Sequence, residues 1–152
     1  MTADVSPLEK GVNLMSAENI AVVRRLIDEV WNQQAFDVLD DLFAADAIIS
    51  ESGVPFPIRV PLCAKEGIGA ACAAFPDIRV AIEDIVAAND KVVVRWSSHG
   101  THRGEMQGIP PTNRPITMTG MAIYRFADGK IVEEWMNTDM LGMLRQLGVI
   151  PQ

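Results

Sequence analysis

The chain has 152 residues, of which 49% are hydrophobic and 22% charged, a balance typical of one folded domain rather than a disordered chain. Its net charge of −7, with lysines and arginines scattered singly, argues against a nucleic-acid partner and against an anionic membrane. No apolar run is long enough to span a membrane and no signal peptide is evident, so we expect a cytoplasmic protein.

The first third of the chain predicts helices. Residues 1–15 show no periodicity and are interpreted as an N-terminal tail, which leaves a single domain over 16–152. Ser16 is the predicted N-cap of an amphipathic helix that Asn32-Gln33-Gln34 ends. The elements predicted next are a short helix with Phe36, Leu39, Leu42 and Phe43 buried, a brief strand at Ala47–Ile49, a proline-rich loop over 50–61 and an Ala-rich helix over Lys65–Ala74.

The second half of the chain predicts antiparallel strands. A strand with Ile78, Val80 and Ile82 on one face leads to the Asn89-Asp90 turn, and the strand Lys91–Thr101 follows. Gly104–Arg114 contains two glycines and two prolines and is the predicted loop. Beyond it, Pro115–Phe126 and Lys130–Thr138 form a hairpin around Asp128-Gly129, which supplies the positive φ angles of a tight turn.

The last predicted strand ends at a carboxylate, Asp139, that begins a C-terminal helix. A period of two places Ile131, Glu133, Trp135, Asn137 and Asp139 on one face and Val132, Glu134 and Met136 on the other, if no bulge intervenes. One face of a helix with Gly148 as C-cap fits Met140, Leu141, Met143, Leu144 and Leu147. Asp139 is therefore either the N-cap of this helix or an acid/base group beside an indole, and the two roles are compatible.

Helices followed by an antiparallel sheet predict an α+β domain. The strand from Pro115 puts Ile116, Met118, Ala122 and Tyr124 on one face, and Met121 and Ile123 among the residues of the other. Because this second face is not plainly polar, we expect it to pack on a second copy as a homodimer. Cys63 and Cys72 lack the spacing of a zinc site or a disulfide framework and are interpreted as small apolar groups.

Several segments of the sequence are similar to one known family. They are Gly100-Thr101-His102-Arg103-Gly104-Glu105, Gly108-Ile109-Pro110-Pro111-Thr112, the stretch from Tyr124 to Trp135, Ala74-Phe75-Pro76-Asp77, and Asp139 with Gln146-Leu147-Gly148. Together they resemble the SnoaL-like polyketide cyclases of the NTF2-like superfamily over roughly residues 18–148. The resemblance implies an NTF2-like cone, in which a curved mixed or antiparallel sheet surrounds a pocket that the N-terminal helices close. Such folds host cyclases, isomerases, epoxide hydrolases and inactive members, so the fold does not fix a reaction.

The resemblance also implies a function. In the cyclases an aspartate at the position of Asp139 exchanges a proton with a carbon flanked by carbonyls during aldol closure, and His102 lies in the Gly-Thr-His pattern of the family. We therefore expect a cofactor-free cyclase or isomerase acting on a hydrophobic polyketide-like carbonyl compound, with Asp139 and His102 catalytic. In a regular strand His99 and His102 face opposite sides, so they do not form a metal pair.

Three further side chains are candidates for binding substrate. Arg95 is either half of a structural ion pair with a carboxylate such as Glu133 or an oxyanion-stabilising group. Trp135 is a candidate pocket wall, and Tyr124 offers a phenol to a carbonyl or packs in the core. Two other functions stay open, namely an epoxide hydrolase that uses an Asp–Arg–Asp arrangement with Arg95 as one member, and a ligand-binding or dimerisation module without catalysis.

Overall fold

Helices cover one face of a sheet that is built mainly from the second half of the chain. The structure is a computed structural model that describes residues 7–53, 58–59 and 62–151. The helices are α1 (Pro7–Arg25), which continues as a π-helix over Leu26–Asn32, then α2 (Leu39–Leu42) after a 3₁₀ turn at Phe36–Val38, α3 (Leu62–Ala74) and α4 (Met140–Leu147). The strands are β1 (Phe43–Glu51), β2 (Ile58–Arg59), β3 (Arg79–Ala88), β4 (Lys91–Thr101), β5 (Pro115–Ala127) and β6 (Lys130–Thr138).

The six strands form one mixed sheet in the order β2-β1-β6-β5-β4-β3. Each of β3, β4 and β5 pairs antiparallel with the strand that follows it in the chain. The strand β1 lies parallel to β6, and this is the one parallel pairing among the described strands. The β5–β6 hairpin turns at Asp128 and Gly129, whose φ angles of 51° and 76° confirm the predicted tight turn. The predicted α+β class with a mixed sheet is confirmed.

The N-terminal helix begins earlier than the sequence predicts. Pro7 is the first residue of α1, so residues 7–15, interpreted above as part of a tail, are helical. Ser16 lies inside the helix, and its prediction as N-cap is wrong. Residues 1–6 lie outside the part of the chain that the structure describes.

The other end of this helical segment is tied to the sheet. The Asn32 amide donates to the Val80 carbonyl oxygen at 2.9 Å and accepts from the Val80 N–H at 2.8 Å. Gln34 then takes a positive φ of 58°, which ends the helix where the sequence predicts. Leu26 and Val30 are thereby held in the main core, which also includes residues of β4, β5 and β6.

A β-bulge in β6 decides which side chains face the core. The register shifts between Arg125 and Phe126, because Phe126 lies opposite Ile131 whereas Arg125 lies opposite Glu133. The extra residue, Val132, reverses the alternation, so Ile131 and Glu134 are both buried. The prediction that Ile131 shares a face with Glu133 and the residues beyond it is therefore wrong. The predicted faces of β5 are confirmed, since Ile116, Met118, Ala122 and Tyr124 alternate with more exposed neighbours.

Candidate active site

A cavity of about 530 Å³ lies between the helices and the covered face of the sheet. Most of its wall is apolar, with residues from the π-helix that continues α1, from α3 and α4, and from five strands. Aliphatic, aromatic and methionine side chains form most of this wall, and they include Leu26, Trp31, Phe75, Trp96, Met118 and Met143. The polar side chains in the wall are Glu51, Ser98, Glu105, Gln107, Tyr124, Glu134 and Thr138. An apolar hollow with a few convergent polar groups is the usual form of a small-molecule site.

Glu134 is the most strongly perturbed carboxyl group in this wall. Its side chain is buried with 6% exposed, and it lies beside its cross-strand neighbour Tyr124, whose hydroxyl group donates a hydrogen bond to it. Burial raises the pKa of Glu134 to about 7, the hydrogen bond from Tyr124 opposes that rise, and the charge of Glu51 adds to it. Near neutral pH this carboxyl group therefore exists in both protonated and ionised forms, which a proton-transferring group requires.

Tyr124 and Glu51 complete the polar part of the wall around Glu134. Burial raises the pKa of Tyr124 well above its ordinary value, with the Glu134 charge adding to the effect, so the phenol stays protonated and serves as a donor. Glu51, half-buried at the end of β1, has its pKa raised by burial. All three groups gather where β1, β6 and β5 lie side by side.

The structure places Asp139 outside the cavity wall. Its side chain is exposed, and its Oδ1 accepts the Gly142 N–H at 2.8 Å at the start of α4. The predicted N-cap is confirmed, whereas the expectation that this carboxylate shares a pocket with Trp135 differs from the structure. The bulge at Val132 explains the difference, because it turns Glu134 rather than Asp139 inward.

Replacing Asp139 separates its capping role from a catalytic one. We expect Asp139→Ala to lower the free energy of unfolding by about 1 kcal/mol through loss of the cap, and Asp139→Asn to preserve it because asparagine caps equally well. Both variants should keep turnover within a few-fold of wild type, measured alongside chemical denaturation. An Asp139→Asn protein that folds normally yet loses activity by orders of magnitude would restore the acid/base role predicted from the sequence.

The other predicted site residues that do not line the cavity are Arg95, Trp135 and His102. Arg95 is exposed on the opposite face of the sheet and pairs with Asp84, Nε to Oδ2 at 2.6 Å, so the expected partner Glu133 is not the one it has. Trp135 is 39% exposed on that same face. The cavity wall, within the described residues, contains no arginine, so Arg95 does not supply the Asp–Arg–Asp arrangement of an epoxide hydrolase.

His102 is buried just behind the cavity wall. Its ring packs against Phe75 with centroids 5.3 Å apart, and Nδ1 accepts the Thr112 N–H at 3.2 Å. Its backbone accepts the Asn113 N–H at 2.8 Å, so this histidine fixes the loop between β4 and β5. Of the five site residues predicted from the sequence, Tyr124 is the one that lines the cavity.

Two candidate site residues that sequence reasoning missed are Glu134 and Glu51. Glu134 follows another glutamate, and a strict period of two assigns it to the face opposite Asp139 without showing that this face lines the cavity. Glu51 precedes a glycine- and proline-rich segment, which masks the strand that carries it. Cys72, by contrast, is a buried free thiol as predicted, and the side chain of Cys63 lies outside the described residues.

The part of the chain that the structure describes contains neither a metal site nor a membrane-spanning helix. No group of three or more His, Cys, Asp or Glu side chains is placed to hold a metal ion. The described helices also include none with the length and apolar character needed to cross a membrane.

Comparison with known proteins shows where this architecture recurs. A sequence profile of the SnoaL-like polyketide cyclase family matches residues 21–147. No curated protein matches the sequence. Among solved structures, IdmH of Streptomyces antibioticus, a candidate polyketide cyclase, is 34% identical with a TM-score of 0.73, over 86% of this chain and 98% of that one. AclR of Streptomyces galilaeus, a candidate hydroxylase, is 26% identical with a TM-score of 0.79, over 90% of this chain and 85% of that one.

A third solved structure extends the likeness over nearly the whole chain. A candidate SnoaL-like polyketide cyclase of Jannaschia sp. CCS1 has a TM-score of 0.83 over 97% of this chain and 99% of that one. Its identity of 23% supports the fold alone. With the family profile, these matches confirm the predicted NTF2-like cone.

Proposed function

Because this chain belongs to the SnoaL-like polyketide cyclase family, we propose that it is a cofactor-free acid/base enzyme acting on a hydrophobic carbonyl compound. The reaction is intramolecular aldol closure or an isomerisation, and Glu134 is the group that exchanges the proton. The observation that carries the proposal is a buried carboxyl group with a pKa of about 7 in the wall of a 530 Å³ apolar cavity. An aldol or isomerisation step begins with removal of a proton beside a carbonyl group, which a positioned carboxylate performs.

The geometry around Glu134 suits proton transfer to or from a bound carbonyl compound. Tyr124 donates to the carboxyl group and so fixes its orientation, which makes the tyrosine a positioning residue. The apolar wall excludes water from the carboxyl group and holds a flat substrate with its reacting carbons close together. Trp96 contributes to this wall because Gly120, its cross-strand neighbour, has no side chain and leaves room for the indole.

Exchange of carbon-bound hydrogen for deuterium tests the proposal without knowledge of the natural substrate. A panel of neutral aromatic and polyketide-like ketones is incubated in D₂O with wild type and with Glu134→Gln, and exchange beside the carbonyl is followed by proton NMR. We expect wild type to accelerate exchange on at least one ketone and Glu134→Gln to lose about 10² to 10⁴ of that acceleration. Tight binding of ketones without any exchange would instead favour a non-catalytic ligand-binding protein.

The uncovered face of the sheet supports a homodimer as part of the same proposal. Met121, Ile123, Trp135 and Val86 are large apolar side chains that remain 37% to 64% exposed there. Ion pairs between Arg95 and Asp84 and between Arg125 and Glu133 lie among them. Exposed clusters of large apolar side chains mark protein interfaces, and a two-fold axis lets one such face cover another.

A charge placed in this face should separate the two copies. We expect wild type to sediment as a dimer at micromolar concentration and Ile123→Glu to sediment as a folded monomer, because two carboxylates would be buried in the interface. Leu141→Glu, which alters an exposed leucine on α4, is the matched control and should stay dimeric. A monomeric wild type at these concentrations would refute this part of the proposal.

A further inference from the structure

We propose that Glu51 is a second catalytic carboxyl group and that it shares one proton with Glu134 in the substrate-free protein. This inference rests on the proposed function, because it assigns the two halves of the proton exchange to two different side chains. One carboxyl group is the acid and the other is the base in the same step.

The parallel pairing of β1 with β6 places the two groups on one face. Ile49 lies opposite Glu134 and Glu51 lies opposite Met136, so the glutamates are diagonal neighbours across the two strands. Residues two apart on a strand share a face, and all four of these side chains line the cavity. The Ser52 N–H donates to the Met136 carbonyl oxygen at 3.0 Å, so the ladder continues past Glu51 and fixes its backbone.

Every charged side chain in the described part of the cavity wall is a carboxyl group. Glu51, Glu105 and Glu134 line it, and no lysine, arginine or histidine of the described wall is there to neutralise them. The Glu105 carboxylate accepts a hydrogen bond from the Gly108 N–H at 2.6 Å within the loop between β4 and β5. Two neighbouring carboxylates in apolar surroundings repel each other, which favours the state that carries a single proton.

The burial of each group decides where the shared proton resides. Glu134 is the more buried of the two, and burial together with the Glu51 charge raises its pKa to about 7 even though the Tyr124 hydrogen bond opposes that rise. Glu51 is half-buried and also borders a second, more open hollow on the uncovered face of the sheet, which Met121, Ile123 and Trp135 line. The protonated group is therefore Glu134 and the ionised group is Glu51.

The chemical step follows from this distribution. The Glu51 carboxylate accepts a proton from the carbon beside the substrate carbonyl, and the electron pair of that C–H bond becomes the C=C bond of an enol. The π pair of the carbonyl moves to its oxygen, which takes the proton of Glu134. The protein keeps a single negative charge throughout, now on Glu134, and the enol carbon then attacks a second carbonyl or is reprotonated elsewhere.

The Glu51→Gln variant tests this assignment through two independent readouts. With 2-tetralone in D₂O as the neutral ketone probe, exchange should fall by about 100-fold or more, as loss of a general base predicts. The titration of Glu134, followed by carboxyl ¹³C NMR without any ligand, should move to lower pH because the neighbouring charge is gone. Glu133→Gln alters the preceding carboxylate, which pairs with Arg125, and should leave both readouts as in wild type.

The outcomes distinguish this inference from the function on which it rests. Wild-type exchange and an unmoved Glu134 titration in Glu51→Gln, with Glu134→Gln still inactive, would overturn the role of Glu51 and leave Glu134 as the acid/base. A titration that moves while exchange persists would show an electrostatic neighbour and likewise overturn the catalytic assignment. Failure of wild type to exchange 2-tetralone or any other ketone of the panel would overturn the proposed function together with this inference.

Discussion

Replacing Glu134 by glutamine is expected to remove turnover and, at pH 8, to make the protein more stable than wild type. The side chain keeps its size, and its oxygen still accepts the Tyr124 hydrogen bond, but the group no longer transfers a proton. Turnover should fall by about 10² to 10⁴. A gain in stability that accompanies a loss of function is characteristic of a strained functional group rather than a structural one.

The sign of the stability effect follows from the pKa shift. In the unfolded chain the Glu134 carboxyl group titrates near its ordinary value of 4.5, whereas in the folded protein its pKa is about 7. Between these values the folded protein binds more protons, so the free energy of unfolding falls as pH rises from about 4.5 to about 7 and stays low above that. Glutamine carries no charge and lacks this fall. The variant should therefore gain up to about 3 kcal/mol at pH 8 and almost nothing at pH 4.5.

Urea denaturation of both proteins at pH 4.5, 6 and 8 measures this difference, with protein concentration held fixed because the proposed dimerisation would also contribute. Glu133→Gln is the matched control, since Glu133 precedes Glu134 but pairs with Arg125 across the sheet, and its effect should stay within about 1 kcal/mol at every pH. A Glu134→Gln protein that is less stable than wild type at pH 8 would mean that Glu134 is an ordinary ionised carboxylate, and the proposed chemistry would lose its support.

Local chemistry in the sequence predicts much of the fold. The Asp128-Gly129 turn, the two faces of β5 and the Asp139 and Gly148 caps of α4 each depend on neighbours within a few residues. Such features leave a pattern that periodicity and turn preference reveal. The family resemblance then supplies the arrangement of these elements, which local patterns do not contain.

The position of the site could not be predicted in the same way. A single extra residue, Val132, reverses the alternation of β6, and nothing in the letters around it marks a bulge. The inward position of Glu134 follows from that bulge, and its position diagonal to Glu51 follows from a parallel pairing between strands about 80 residues apart in sequence. The early start of α1 at Pro7 was likewise hidden, because that segment shows no apolar period.

The loop between β4 and β5 should be the most sensitive backbone element of the cavity wall, and Gly104→Ala is expected to show it. A Cβ atom at Gly104 would clash with the Ala73 carbonyl oxygen and lie 2.9 Å from the Ala74 Cα. These are backbone atoms at the end of α3, so no side chain can move aside. The loop would have to retreat and stretch the hydrogen bonds that the Arg103 and Gly104 N–H groups donate to the Ala74 oxygen at 2.9 and 3.0 Å.

Two weakened hydrogen bonds and the accompanying strain together predict a loss of roughly 2 to 5 kcal/mol in the free energy of unfolding. For a domain of this size the melting temperature should fall by about 5 to 15 °C. Gly69→Ala is the matched control, because Gly69 lies within α3 with nothing within 4 Å of an added Cβ, and alanine there should stabilise the helix by about 0.5 to 1 kcal/mol.

The same substitution should also weaken ligand binding, because the loop carries Glu105, Met106 and Gln107 into the cavity wall. Affinity for a ketone of the panel, measured by calorimetry well below the melting temperature, should fall for Gly104→Ala and stay unchanged for Gly69→Ala. Equal melting temperatures for Gly104→Ala and wild type would show that the loop does not approach α3 this closely. The wall of the cavity would then be more open on that side, and the water exclusion that keeps the pKa of Glu134 raised would have to come from the helices alone.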